Sequence, residues 1–165
     1  MKKSYPFLLG VASFLFLAVL SGCMSLNIGE KGAVRGRVEG ENGPLQGVRV
    51  ESGDRIVFTN ETGDFLLENI SSGVQYIFFS CEGYTSSLVK VTVVKGNEVL
   101  ISPDGIITLS LSSDSNDYEY LVLLYELGFY EKSFLEAEEY QKKYIGSNLI
   151  PNVSFIKGAS AYYLG

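Results

Sequence analysis

The chain of 165 residues is 46% hydrophobic and 19% charged, too apolar for a disordered tail and too weakly charged for a coiled coil. It has no His, which excludes histidine triads, His metal sites and His general bases, and its two Cys cannot build a four-cysteine zinc site or a disulfide framework. Thirteen Lys and Arg against nineteen Asp and Glu give a net charge of −6, which argues against nucleic acid as a partner, and no G-x-x-x-x-G-K-[ST] loop is present.

The first element reads as a targeting segment. Lys2 and Lys3 form a positive n-region, and residues 6–20 are almost wholly apolar and carry no charge. About 15 residues at ~1.5 Å each fall short of a ~30 Å hydrocarbon core, which fits a signal-peptide h-region better than a spanning helix. Leu20-Ser21-Gly22-Cys23 follows and resembles the bacterial lipobox, in which a large apolar residue and two small ones precede a Cys. The resemblance implies diacylglyceryl transfer to the Cys23 thiol, cleavage after Gly22 and acylation of the new amino group. Several acyl chains at ~0.8 kcal/mol per buried CH2 make a stable membrane anchor. Residues 1–22 are therefore expected to be a lipoprotein signal peptide and 23–32 a tether. Cleavage removes Lys2 and Lys3, and acylation of Cys23 leaves Cys81 as the one free thiol. Met24 and Ser25 follow Cys23, and the position after the Cys, where Asp would mark inner-membrane retention in enteric bacteria, holds Met24. The expected location is extracytoplasmic and lipid-anchored, at the outer membrane if the source has two.

Residues 33–111 read as an antiparallel β-sandwich. Short runs with period-2 alternation are separated by turn residues, the pattern of sheets with one buried face. Val34, Gly36 and Val38 share one face while Arg35 and Arg37 point the other way, and Val48 and Val50 flank an outward Arg49. Residues 55–59 form a third strand, and Phe65-Leu66-Leu67 follows the turn at 60–64. Residues 73–81 are apolar on both faces, as a central strand requires. Val89, Val91 and Val93 alternate with Lys90 and Thr92, and two further strands span 99–102 and 106–111. Seven or eight strands in such a length match an immunoglobulin-like sandwich.

The order of landmarks resembles the carboxypeptidase regulatory-like domain. It is carried by Gly36-Arg37-Val38, Pro44-Leu45-Gln46-Gly47-Val48-Arg49-Val50, Thr59-Asn60-Glu61-Thr62-Gly63-Asp64-Phe65, Gly73-Val74-Gln75-Tyr76 and Gly83-Tyr84. The resemblance implies a transthyretin-like sandwich and a non-catalytic folding, spacing or binding unit. Gly47 and Gly63 suit positions with φ > 0, and Phe65 and Tyr76 supply large apolar areas to hold two sheets together.

Residues 112–116 are polar and read as a hinge, with Asn116 as N-cap and Glu119 at N3 of a first helix. That helix, 117–127, is expected to bury Tyr118, Leu121, Val122, Leu124 and Tyr125. Gly128 stops it. A second helix, about 131–144, places Phe134, Ala137, Tyr140 and Tyr144 at helical spacing, and Pro151 opens a third containing Phe155, Ala159 and Tyr162. Laid on itself so that Gly128 meets Gly165, the segment also matches Tyr118 with Phe155, Tyr125 with Tyr162 and Leu127 with Leu164. This pattern resembles the tetratricopeptide repeat, with Tyr130 as the aromatic after the turn, although Leu121 and Ser133 stand where small residues and Ala are usual. Residues 117–165 hold one and a half such repeats, and about three are needed for a solenoid to bury its faces. Either the helices dock on the sandwich or on another chain, or the polypeptide belongs to a longer array; the last is the expectation. The fold class expected is mainly β plus α, a sandwich followed by about three helices.

Chemistry is sparse. Cys81 ends an apolar strand and reads as a buried, inert thiol. Asp114, Asn116, Asp117 and Glu119 do not match a calcium loop and are explained by the hinge and helix cap. Glu136, Glu138 and Glu139 read as a solvated helix face. An isopeptide-forming sandwich needs an early-strand Lys, where this chain has Arg35 and Arg37. The expectation is a non-catalytic envelope lipoprotein with no catalytic residue, metal or cofactor. Its sandwich acts as spacer and its helices as platform for an envelope protein, with Tyr118, Tyr125, Tyr130, Tyr140 and Tyr162 as candidate contacts. The alternative is a surface ligand-binding lipoprotein whose sandwich holds glycan or peptide on exposed aromatics such as Tyr84.

Overall fold

The computed structural model describes residues 31–165; the expected signal peptide, the expected lipidation site Cys23 and most of the expected tether lie outside the described residues. Nine strands precede three helices: β1 (Lys31–Gly40), β2 (Gly43–Pro44), β3 (Arg49–Ser52), β4 (Arg55–Phe58), β5 (Asp64–Ser71), β6 (Gly73–Ser80), β7 (Ser87–Val93), β8 (Glu98–Leu100), β9 (Ile106–Thr108), α1 (Asp114–Glu126), α2 (Tyr130–Lys143) and α3 (Ile150–Leu164). The strands form two sheets, the mainly-β-plus-α class expected. One sheet is built around β1, which pairs with β2, β5, β8 and β9; the other runs β4-β3-β6-β7. The strand beyond the seven or eight expected is β2, part of the turn after β1, in which Gly43 and Pro44 pair with Gly40 and Glu39.

Alternation places the core. Val34, Val38, Phe65 and Leu67 of the first sheet meet Val50, Ile77, Phe79 and Val93 of the second, all buried. The Phe65 and Phe79 rings meet edge to face at 5.6 Å. Arg35 and Arg37 project outward and pair with Glu98 at 2.5 Å and Asp64 at 2.8 Å. Gly36 lies between the buried valines because no side chain fits there: a Cβ would stand 2.4 Å from Ile101 Cγ2 and 2.8 Å from the Gly105 carbonyl oxygen. Gly63 turns at φ +75°, and a Cβ there would be 2.5 Å from the Val38 oxygen.

The sheets depart from the expected pattern in two respects. β8 and β9 run parallel to β1, not antiparallel. After β7 the chain crosses from one sheet to the other and arrives beside β1 without a hairpin reversal. The strand is interrupted between Ile101 and Gly105, whose backbone groups still bond Arg35 and Arg37. Tyr76, expected to join the two sheets, instead sits on the outer face of β6, since Ile77 and Phe79 take the inward positions. Central β6 is apolar on both faces because its outer side meets the helices.

The helices also differ in phase. α1 starts three residues before the expected 117, capped by Ser113, whose side chain accepts the Asn116 N–H at 3.2 Å. With Ser113 as the cap, Asn116 becomes N3, and its side chain bonds the Leu111 oxygen instead of capping. α3 buries Val153, Ile156 and Ser160, whereas Phe155 (72% exposed) and Tyr162 (82%), two of the landmarks of the internal match, face outward. Its packing partner is α2, and the buried Ser133 and Ser160 hydroxyls bond at 3.1 Å where the two helices meet. A Phe65→Ala variant should lose about 3–5 kcal/mol of unfolding free energy in a urea titration, the cost of a large cavity in a sandwich core.

Candidate functional site

The sandwich and the helices meet at a polar joint centred on Asp117. Its carboxylate accepts hydrogen bonds from Thr85 Oγ1 (2.6 Å), Ser112 Oγ (2.6 Å), Tyr144 Oη (2.7 Å) and Lys143 Nζ (2.9 Å). These donors come from the loop after β6, the segment before α1 and the end of α2, so one side chain ties three distant segments. Ser112 N–H also bonds the Gly83 oxygen at 2.9 Å, and Asn116 Nδ2 bonds the Leu111 oxygen at 3.1 Å. Burial pushes Asp117 upward, but the bonds from Ser112, Thr85, Lys143 and Tyr144 outweigh it and hold the carboxyl below its usual range.

A second contact joins α2 to the outer face of β3 and β6. Phe129 packs edge to face on Tyr76 and Phe78, each at 5.1 Å. Lys132 reaches Glu51 at 3.0 Å and lies 4.5 Å above the Phe78 ring. Glu51 also pairs with Arg49. Between these contacts Tyr120 is buried and Glu136 is sheltered from water, each lining two small cavities of about 120 and 140 Å3. Burial raises Glu136, and the Asp117 charge adds to this while Lys132 opposes it. Burial likewise raises the Tyr120 hydroxyl, reinforced by Glu136 and Glu51. Glu136 was expected on a solvated face; docking of α2 on the sheet turns it inward, while Glu138 pairs with Lys157 at 3.0 Å and Glu139 with Lys142 at 2.7 Å.

Beside Phe129 opens a groove of about 510 Å3 lined by Glu51, Tyr76, Phe78, Phe129, Tyr130 and Lys132. An aromatic ladder continues from it. Tyr130 stacks on Tyr163 at 4.4 Å, and Tyr125 and Tyr162 meet the ends of that pair edge to face. The five candidate tyrosines thus have different places. Tyr140 is buried in the helical core, its hydroxyl 3.2 Å from that of Ser147. Tyr118 and Tyr125 are half-buried against the same core, Tyr130 lines the groove, and Tyr162 is exposed. Phe129, Phe78 and Tyr163 were not singled out from sequence, and Tyr76 was expected between the sheets; the apolar outer face of 73–81 was the available sign that something covers it.

Tyr84 is not an exposed sandwich aromatic. It is half-buried, forms a bridge with Leu111, and lies where a Cβ on Gly40 would stand 2.8 Å from its ring. Cys81 is half-buried at the rim of the sandwich core. Among the described residues no group of three or more Cys, Asp or Glu side chains is placed to hold a metal ion. Asp117 is occupied by its four donors, and Asp114 accepts from Ser147 Oγ at 3.0 Å.

No family profile and no curated protein matches the sequence. Among solved structures the chain is similar to one in an N-terminal interface mutant of a type II cohesin–X-dockerin complex from Acetivibrio cellulolyticus. That likeness has 15% identity over 48% of this chain and 58% of the other, with a TM-score of 0.41. The Bacillus anthracis TIE protein is 22% identical over 50% of this chain and 17% of its own, with a TM-score of 0.40. Catechol 1,2-dioxygenase from an Acinetobacter species is 11% identical over 55% of each chain, with a TM-score of 0.35. The matched part is little more than half of the first of these chains, and the likenesses are too distant to carry function from any of them. The class defined by the molecule itself is a β-sandwich followed by three helices docked on its outer face.

Asp117→Ala should lower the unfolding free energy by roughly 1.5–3 kcal/mol, the scale of hydrogen bonds to a charged group. Because the folded carboxyl is held low, this stabilisation is complete above the unfolded value near pH ~3.9 and is lost as pH falls through the folded value. The gap between variant and parent should therefore close in acid. Glu136 acts with the opposite sign, because its folded form holds the proton more tightly than the unfolded chain does. Glu136→Gln should raise the thermal midpoint at neutral pH, and the gain should shrink as pH falls towards the ordinary carboxylate range.

Proposed function

We propose that this protein is a membrane-anchored bacterial envelope lipoprotein that acts as a non-catalytic scaffold. A carboxypeptidase regulatory-like sandwich spaces a tetratricopeptide-like helical platform from the membrane, to which lipid on Cys23 holds the chain. The observation that carries this reading is the joint between the two parts. A linker with Ser112 and Asp117 bonded on both sides, and a Phe129 seated on the sheet, fix the helices in one orientation instead of letting them swing. A fixed platform with uncovered aromatics suits recognition of a protein, since rigid rings cost little entropy on binding.

A second reading has one observation in its favour. The groove at Tyr76, Phe78, Phe129 and Tyr130 offers aromatic faces with Glu51 and Lys132 at its rim, a composition suited to a glycan or an extended peptide.

In-cell crosslinking of the tagged protein, followed by detergent extraction and mass spectrometry, separates the two. The scaffold reading expects acyl chains on Cys23, release from membranes in Cys23→Ser, and a reproducible protein crosslinked through the helices. Lipidated protein with no protein partner favours the groove as a ligand site. Continued lipid labelling of Cys23→Ser rejects the anchor.

A further inference from the structure

We propose that Lys132 and Glu136 form a proton-controlled latch between α2 and the sandwich: Lys132 ties α2 to Glu51 while Glu136 carries a proton, and turns to Glu136 when that proton leaves. Lys132 Nζ lies 3.0 Å from Glu51 of β3 and 4.5 Å above the Phe78 ring of β6. Both contacts cross from the helices to the sheet. Glu136 follows Lys132 by four residues on α2, the spacing at which opposite charges on one helix meet. Lys132 therefore has one carboxyl in reach across the joint and another on its own helix, and it takes the first. The Glu136 carboxyl has no hydrogen bond or ion pair among the described residues, although it lines both small cavities between sheet and helices. An ionised carboxylate sheltered from water is costly without a partner, so this arrangement suits Glu136 in its protonated form. Burial raises its pKa, in keeping with that, and the Asp117 charge adds to the effect.

The other charged groups around Glu136 are committed elsewhere. From β3, Arg49 pairs with the same Glu51. From α1, Asp117 holds Lys143 at 2.9 Å, and Lys143 also lies over the Tyr144 ring at 5.1 Å. On α2, Glu139 is paired with Lys142 at 2.7 Å. Tyr84, Tyr120 and Tyr140 contribute phenols to the lining. Lys132 is the cation that changes partners at least cost, since Glu51 keeps Arg49 when Lys132 leaves. Lys143 stands two turns beyond Glu136, and its departure from Asp117 would weaken the polar joint.

The docked helices favour the proton on Glu136, so docking is tight below the pH at which Glu136 ionises and loosens as pH rises through it. Phe129 lies three residues before Lys132 and rests on Tyr76 and Phe78, so release of Lys132 frees that aromatic contact first. Asp117 is held low by its donors and stays ionised there. The helices thus retain the joint and gain rotation about it. The latch belongs to the joint and operates whichever ligand or partner the protein takes; only its use in setting the angle of a platform rests on the scaffold reading.

The test is nuclear magnetic resonance on the full chain in detergent micelles, with isotope-labelled Glu, Phe and Tyr, titrated upward from the ordinary carboxylate range. The expected result is a Glu136 carboxyl that titrates above pH ~4.3, with the Overhauser contacts of Phe129 to Tyr76 and Phe78 weakening about twofold or more at the same midpoint. Glu136→Gln should hold these contacts constant over the whole range. Lys132→Met keeps a chain that packs on Phe78 and removes the charge. In it Glu136 should still titrate, at higher pH, while the Phe129 contacts no longer follow. A Glu136 that titrates in the ordinary range, or Phe129 contacts that stay constant through its titration, overturns the proposal. Contacts that still follow Glu136 in Lys132→Met overturn the exchange of partners. Loss of the sandwich resonances at the same midpoint overturns the latch in favour of global unfolding. None of these outcomes depends on lipid at Cys23 or on a crosslinked protein, so the scaffold reading stands or fails separately.

Discussion

The carboxylate of Asp117 is the constraint on which the arrangement of this molecule depends. It gathers hydroxyl groups from the sandwich and the linker, a phenol and an ammonium from the end of α2, and it does so at the first turn of α1. An acidic side chain there is also favoured by the helix dipole. Four donors on one carboxylate leave it no cheap alternative partner, so the segment before α1 behaves as a joint and not as a flexible linker. The apolar contact of Phe129 with Tyr76 and Phe78 then sets the rotation of the helical hairpin about that joint.

Docking by one polar and one aromatic contact has consequences for charge. Glu136 and Tyr120 are carried into the space between sheet and helices, where both favour their neutral forms. Asp117 draws stability from being ionised, whereas Glu136 costs stability when it is. The joint therefore contains opposed titrations a short distance apart; Lys143 favours the ionised form of both carboxyls, and Lys132 that of Glu136. Polar networks of this kind lend orientation more reliably than they lend stability. That suits the proposed scaffold, in which the joint would hold a platform at a set angle.

The two ends of the helical unit are finished differently. α1 is bounded by the sandwich and α2, and its aromatic residues are absorbed into packing. α3 packs mainly on α2, with Val153 and Ile156 also meeting Leu121 of α1 in the helical core, and leaves Phe155 and Tyr162 exposed, Tyr162 beside the stacked Tyr130 and Tyr163. The uncovered aromatic surface is thus concentrated at the end of the helices away from the capped start of α1. Tyrosine at such sites combines a large apolar body with a hydroxyl that tolerates water, which lets one surface remain soluble and still be buried by a partner.

Much of the architecture was legible in the residues. Period-2 alternation at Val34, Val38, Val48, Val50, Phe65 and Leu67 assigns the inward face of each strand, because a pleated strand leaves no freedom about which side successive residues take. Gly63, with no room for a Cβ, and Pro151, at the first turn of α3, mark turn and helix start for reasons local to the chain. What sequence could not decide is which way each helix is rotated against its neighbours. Helical spacing groups Phe155, Ala159 and Tyr162 on one face and Val153, Ile156 and Ser160 on another, and both faces carry apolar residues. Only the presence of α2 on one side selects the second. The same holds for Glu136, Tyr120 and Tyr76, whose surroundings come from segments far away in the chain. Local periodicity determines which side chains point together; the docking of distant surfaces, through Asp117 and Phe129, decided which of those groups met protein and which met water.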